Sequence, residues 1–259
     1  MATHLSEQQI SVSVIIPTRN EAPNLRYVIP HLPDFVNEVV LVDGHSTDST
    51  IAEARRLRPD VRIIEQTGKG KGDAIKAGLA CATGDIIVLL DADGSADPLE
   101  IPHFVNILLA GNDFAKGSRF LKGGGSHDIT WLRRTGNYGL IWLVNILFNA
   151  HFTDLCYGYN VFWKHCTGLL AIDSDGFEIE TLINIRMHTA GLRIAEVPSV
   201  EYRRIHGASN LNAVKDGWRI LKLIIQERVT RRPQVAARIV LPAPVAQQPS
   251  VAVPEEVLL

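Results

Sequence analysis

The sequence is short of the features that most often settle a protein's class at a glance. It has three cysteines in 259 residues, Cys81, Cys156 and Cys166. An odd number at no metal-ligand spacing excludes a disulfide framework and a thiolate metal site, and free thiols in a reducing compartment are the expectation. Neither sign of charge is in excess: 26 basic and 28 acidic side chains give a net charge of -2, which offers no footing for nucleic acid. Long apolar runs are missing as well. The longest, residues 138–148, is about half the ~20 residues a spanning helix needs and is interrupted by Gly139 and Asn145, so no transmembrane helix is expected. The opening MATHLSEQQ has no apolar stretch of the secretory kind, and a cytoplasmic location is expected. Neither GxxxxGK[ST] nor GxGxxG occurs, which removes the two commonest phosphate loops. With 46% hydrophobic and 21% charged residues, the chain fits an ordinary globular protein with one sizeable core.

What is present is a recurring unit. Val12–Ile16 is an apolar run closed by Pro17, followed by the polar turn Thr18-Arg19-Asn20-Glu21 and a helix predicted over 24–31. Glu38–Val42 repeats the pattern, ending in Asp43-Gly44-His45-Ser46 before a helix predicted over 50–57. A short strand over 61–65 precedes Gly68-Lys69-Gly70-Lys71-Gly72-Asp73 and a helix over 73–82. The fourth run, Ile86–Leu90, is too short for a helix and rich in β-branched side chains, so it reads as a fully buried strand. Strands alternating with helices predict an α/β protein with a doubly wound, mostly parallel sheet. Ligands bind such sheets at the carboxyl ends of the strands. That rim gathers Glu21, Asp43, Lys69 or Lys71, Asp91 and Asp93.

The chemistry of these side chains narrows the reading. In an extended strand Asp91 and Asp93 point to one side, and adjacent carboxylates repel unless a positive charge lies between them. A hard divalent cation, Mg²⁺ or Mn²⁺, holding a phosphate ester is one solution; a plain polar turn after a strand is the other. Asp48 or Ser49 suits the cap of the 50–57 helix, which leaves Asp43 at its strand end to accept hydrogen bonds from a nucleobase or ribose. The glycines around Lys69 and Lys71 let backbone approach a phosphate closely, or else mark a solvated loop.

Four motifs in order, VSVIIPTRNEAPNL, VLVDGHSTDST, GKGKGDAIKAGLACATGD and VLLDADGSADP, resemble the nucleotide-sugar half of family 2 glycosyltransferases, which have the GT-A fold. Gly117-Ser118-Arg119-Phe120, TDLCYGYNVF and EVPSVEYRRIHGASNL resemble more narrowly the polyprenyl-phosphate (dolichol-phosphate) mannosyl- and glucosyltransferase branch. The resemblance covers residues 11–228. It implies a Rossmann-like GT-A domain with acceptor-side additions, and metal-dependent, inverting transfer of a hexose from a UDP- or GDP-linked donor to polyprenyl phosphate. By the same resemblance Pro17, Arg19, Glu21, Asp43 and Lys71 contact the nucleotide, and Asp91 and Asp93 hold the metal and the donor diphosphate. Arg119 and Arg133 bind the acceptor phosphate. Asp93, Glu180 and Arg204 are the catalytic set, with Glu180 placed by its distance to Arg186 and Arg204 neutralising the leaving group. Two departures stand out: V-D-D-G-S reads V-D-G-H-S here, and Ser95 replaces a glutamine found two residues after the second metal aspartate in many dolichol-phosphate mannose synthases. A hydroxyl acceptor needs a base to take its proton, the part Glu180 would play, whereas a phosphate acceptor needs none.

In the second half, Phe114–Gly117 reads as a strand, Gly123-Gly124-Gly125 as a mobile loop, and 196–202 as a strand. Arg133 and Arg134 open an apolar segment suited to the core or to a homodimer contact. Residues 211–228 form an amphipathic helix with Lys215, Arg219 and Lys222 on one face, fit for core packing or for peripheral association with an anionic membrane. The expected organisation is a flexible 1–10, a GT-A domain over 11–230 divided into a nucleotide-sugar half (11–98) and an acceptor half (99–230), and a Pro-rich disordered tail over 231–259. A soluble hydroxyl acceptor on the same fold is the alternative. A phosphatase of the haloacid dehalogenase type would account for LLDADGS but lacks a downstream acidic pair, and a calcium loop would need glycine where Ala96 stands.

Overall fold

The computed structural model describes residues 10–208 and 211–230; the expectations for 1–9 and for the 231–259 tail lie outside the described residues. The first half runs β1 (Val12–Thr18), β2 (Glu38–Asp43), α1 (Thr50–Leu57), β3 (Arg62–Glu65), α2 (Lys71–Cys81), β4 (Ile86–Leu89) and α3 (Ile101–Leu109). The second runs β5 (Phe114–Ser118), β6 (Gly125–Ser126), α4 (Trp131–Phe148), β7 (Asn160–Trp163), α5 (Thr167–Leu170), α6 (Ile179–Thr189), β8 (Ile194–Pro198), β9 (Val200–Glu201) and α7 (Ala213–Val229). Seven strands form one sheet in the order β3-β2-β1-β4-β7-β5-β8. All neighbours are parallel except β7, which runs antiparallel between β4 and β5. A strand from the second half of the chain thus lies inside the sheet begun by the first.

The apolar runs are continuous because the sheet is covered on both faces. Along β1, Val14 and Ile16 pack with Val39, Leu41, Val88, Phe104 and Tyr159 on one side. Ile15 packs with Val40, Val42, Ile87, Phe114 and Leu182 on the other. Each such fully buried branched side chain contributes about 1.5–3 kcal/mol. A third cluster joins α4, α6 and α7 through Ile141, Val144, Ile185, Ile220 and Ile224. Only part of the apolar α4 segment enters it, since Trp142 and Ile146 are exposed.

Three local expectations need correction. The helix over 24–31 is two 3-10 turns, Leu25–Tyr27 and Ile29–His31; Pro30 supplies no amide hydrogen to continue a helix across Val28. The strand before Asp91 ends at Leu89, so Asp91 and Asp93 stand in a turn held by a bond from the Ser95 amide to Asp93 Oδ1 (3.0 Å) and by Gly94 at φ +74. The triple glycine is tied down: Gly125 N–H donates to Ser199 O, and β6 pairs with β9. A Cβ at Gly124 would lie 2.5 Å from Ser118 O, so glycine serves close backbone approach there.

Candidate active site

The carboxyl ends of β1, β2 and β4 open on one rim, and the residues beyond them meet two side chains delivered from far along the chain. Lys71, the first residue of α2, extends between Asp91 Oδ1 (2.6 Å) and Glu180 Oε1 (2.5 Å). Gly70, at φ +90, makes the turn that aims it, and the Gly72 amide donates to Asp175 O (2.9 Å). The glycine-lysine loop is therefore docked against 174–176, while Lys69 is exposed. Gly158, in the turn before β7, leaves the room in which the three charges converge: a Cβ there would stand 2.6 Å from Lys71 Nζ, 2.8 Å from Glu180 Oε1 and 2.9 Å from Asp91 Oδ2.

A second cation closes the other side. Arg204 donates to Asp93 Oδ2 (3.2 Å) and to Glu21 Oε1. The segment carrying it is strapped across the rim, because His206 N–H donates to Asn24 Oδ1 (3.0 Å) and Asn24 Nδ2 donates back to His206 O (3.1 Å). Asn24 also donates to Glu21 Oε2 (2.6 Å).

Burial tunes these groups. Burial alone would discharge the Lys71 ammonium, but Asp91 and Glu180 outweigh it and hold its pKa above the ordinary lysine range. Glu180 is pushed up by burial, against the pull of Lys71 and with the added repulsion of Asp91. Glu21 is also raised by burial, in spite of Asn24 and Arg204.

Asp43 is 2% exposed, and its Oδ2 accepts from Ser46 N–H (3.0 Å) while its Oδ1 has no hydrogen-bond partner. An unsatisfied buried carboxylate oxygen at a ligand rim is a costly vacancy unless a donor arrives. Pro17 lies half-buried near the end of β1 and Arg19 is exposed just beyond it. His45 sits at φ +60 with Nδ1 3.1 Å from Glu65. Asp48 ties the turn to Thr50 and to the Ala22 amide.

Arg119 and Arg133 come together at a separate crevice between the starts of α4 and α7, walled by Ile129, Leu132, Leu140 and Ile220. Their situations differ. Arg119 is 4% exposed, donates from Nε (2.7 Å) and Nη2 (3.0 Å) to Asp154, and from Nη1 (3.0 Å) to Glu201. Burial opposes ionisation of Asp154, yet Arg119 holds its pKa down at about 2. Arg133 makes one 3.5 Å contact to Asp128 and is the freer cation. Asn137 donates to Asp154 Oδ1 (2.9 Å), and its own Oδ1 is buried without a partner. A buried network of Asp154, Glu196 and fully buried Lys116 underlies this floor. Reasoning from sequence missed Glu196, Glu201 and Gly158, whose only signal was their place in the quoted motifs, and Asn137, which carried none.

Among the described residues no three His, Cys, Asp or Glu side chains are grouped as a ready metal shell. Two carboxylates fit the habit of a small hard cation that takes its remaining ligands from substrate phosphate and water. Glu21, Asp91, Asp93 and Glu180 against Lys71 and Arg204 also leave two negative charges when ionised.

The model of glycosyl transferase family 2 matches residues 13–170. The chain is 31% identical over 211 residues to a dolichol-phosphate mannosyltransferase from Pyrococcus furiosus, covering 78% of this chain and 59% of that one. It is 30% identical over 212 residues to a polyprenol monophosphomannose synthase from Mycolicibacterium smegmatis, covering 77% and 80%. Among solved structures it resembles glucosyl-3-phosphoglycerate synthase from Mycobacterium tuberculosis in complex with Mn²⁺, UDP and glucosyl-3-phosphoglycerate. The TM-score is 0.67 at 22% identity over 85% of this chain and 80% of that one, a likeness of fold.

Proposed function

Because the chain belongs to glycosyl transferase family 2 and is a glycosyltransferase of GT-A fold, we propose that it moves a hexose from a UDP- or GDP-linked donor to polyprenyl phosphate, inverting the sugar carbon. Membership in this family sets aside the phosphatase alternative.

The crevice carries the acceptor half of this reading. It joins two arginines to apolar walls from α4 and α7, which suits an acceptor whose phosphate continues into hydrocarbon. A guanidinium offers such a phosphate a planar fork and a permanent charge. In this reading Arg133 makes the first contact and Arg119, committed to two carboxylates, sets the floor. Helix glycines Gly136 and Gly217 line the same space, and a Cβ at either would meet nothing within 4 Å. Helix-interior glycine costs about 1 kcal/mol relative to alanine, and packing gives no reason for these two.

On the donor side, Asp43 Oδ1 accepts from the base, with Pro17, Arg19 and Glu21 lining the nucleoside. Asp91 and Asp93 would hold Mg²⁺ or Mn²⁺, and a relative of the same fold is named with Mn²⁺ and UDP bound. Such an ion supplies charge stabilisation for the departing diphosphate. Lys71 and Arg204 add fixed positive charge where negative charge develops, in a partly buried site where that is worth several kcal/mol. A phosphate acceptor arrives ionised, so Glu180 then serves to position Lys71. A hydroxyl acceptor is the second reading, favoured by the raised pKa of Glu180, which suits a general base.

Exposed Trp131, Trp142 and Trp218, beside Arg134, Lys215 and Lys222, suit peripheral contact with an anionic bilayer on the cytoplasmic side. No helix among the described residues is long and apolar enough to cross one.

The deciding experiment incubates the protein with radiolabelled UDP-glucose or GDP-mannose and Mn²⁺. Polyprenyl phosphate, 3-phosphoglycerate and a simple alcohol are offered in parallel, with EDTA controls. Label in the polyprenyl phosphate fraction, lost with EDTA, is expected. Label only in a water-soluble product would replace the lipid acceptor with the hydroxyl one.

A further inference from the structure

Both cations of the rim are held in the same unusual way. Lys71 bridges one member of the aspartate pair, Asp91, and one acid outside it, Glu180. Arg204 bridges the other member, Asp93, and one acid outside it, Glu21. Each carboxylate that would hold a divalent ion is therefore already occupied by a protein cation. Each cation also has a second carboxylate to stay with when the first is taken. We propose that Lys71 and Arg204 are place-holding counter-ions, which cede Asp91 and Asp93 to the divalent cation and turn to the donor diphosphate. This rests on the donor-site reading above and adds to it an order of events, with metal and diphosphate binding coupled through these two ion pairs.

The geometry supplies the means. A carboxylate shared between a divalent ion and an ammonium or guanidinium would bring like charges together, so Lys71 and Arg204 would give up Asp91 and Asp93 to such an ion. Lys71 lies on a long side chain, 11% exposed, at the first position of α2 behind the Gly70 turn. Arg204 lies on the strap that His206 ties to Asn24, and it is itself the strap's link to Asp93. Releasing it loosens one anchor of the strap at the moment the donor must enter. Without the place-holders, Glu21, Asp91, Asp93 and Glu180 would face one another unneutralised.

The consequence is an inversion of sign that a merely structural or merely phosphate-binding role would not produce. Removing a place-holder relieves competition for the metal and at the same time removes a diphosphate ligand. The test measures Mn²⁺ binding alone, by the electron paramagnetic resonance of free Mn²⁺, and then UDP and GDP binding at saturating Mn²⁺ by calorimetry. The proteins are the wild type, Lys71→Met, Arg204→Met, Lys71→Arg and, as a control for loss of charge elsewhere on α2, the exposed Lys76→Met. Thermal melts establish that each is folded. Lys71→Met and Arg204→Met should each bind Mn²⁺ alone about tenfold more tightly and the nucleotide about tenfold more weakly, within the usual range of coupling between two sites. Lys71→Arg and Lys76→Met should keep the wild-type Mn²⁺ affinity. Unchanged or weaker Mn²⁺ binding in the two methionine variants overturns the place-holding role and leaves the donor site standing. If the wild type binds no Mn²⁺ with either nucleotide, the donor-site reading falls and the inference falls with it.

Discussion

Replacing Gly158 with alanine probes the convergence of Lys71, Asp91 and Glu180 on which the proposed donor site rests. The added Cβ would stand 2.6 Å from Lys71 Nζ, 2.8 Å from Glu180 Oε1 and 2.9 Å from Asp91 Oδ2, where ordinary contact begins at 3.4 Å. The shortfalls are 0.8, 0.6 and 0.5 Å, and all three fall on the free ends of side chains that can retreat. Gly158 is also not among the positive-φ glycines, so alanine brings no backbone strain. The fold should lose no more than about 1 kcal/mol, a shift of about 2–4 °C in Tm for a domain of this size. The site should lose much more, because a misplacement near 1 Å costs about 10²-fold in rate, equivalent to ~2.7 kcal/mol of barrier. The assay pairs thermal denaturation with kcat/KM for hexosyl transfer. A variant with near-native Tm and activity down ten- to a hundredfold is expected. Full activity would refute the view that the Lys71–Asp91–Glu180 arrangement is used in turnover. A large fall in Tm would assign Gly158 to packing instead.

Arg119→Met removes the guanidinium that both Asp154 and Glu201 pair with in the interior and should cost about 3–5 kcal/mol, read as a drop in denaturant midpoint. Arg133→Ala removes a partly exposed cation from the crevice and should raise acceptor KM about tenfold or more with kcat and Tm little changed; a kcat effect alone would contradict an acceptor-binding role. The third expectation concerns acid. Asp154 is held at about 2, below its ordinary 3.8, so its ionisation favours the folded state. That contribution is complete above about pH 4 and is lost as the pH falls toward 2. Urea unfolding between pH 5 and 2 should show this slope in the wild type and a flatter one in Asp154→Asn.

The first half of the fold was open to reading because buried parallel strands are written as unbroken apolar runs. Val12–Ile16, Glu38–Val42 and Ile86–Leu90 each fall within a residue or two of an observed strand, and α1 has the expected bounds. Once strands alternate with helices the rim follows, and with it the company of Glu21, Asp43, Lys71, Asp91 and Asp93. Pairings across long separations were not readable. Lys71 and Glu180 are joined only by the return of the chain through α6, and no local periodicity encodes it. The commitment of Arg119 to Asp154 and Glu201 was equally unreadable, since its motif pointed only to a phosphate. The triple glycine has the composition of a flexible loop but serves to let two backbones touch.

The antiparallel seat of β7 bears on how the chain is made. β4 ends at Leu89 and its outer neighbour does not begin until Asn160, about 70 residues later. At ~5–20 residues per second, a ribosome needs ~4–14 s to supply that strand. Through that interval the apolar edge Ile86–Leu89 has β1 on one side and nothing on the other, the condition that invites pairing with another nascent chain. The strand whose end bears the two aspartates thus waits for its covering until the second half of the chain is made. A fragment ending near residue 98 would carry that open edge permanently.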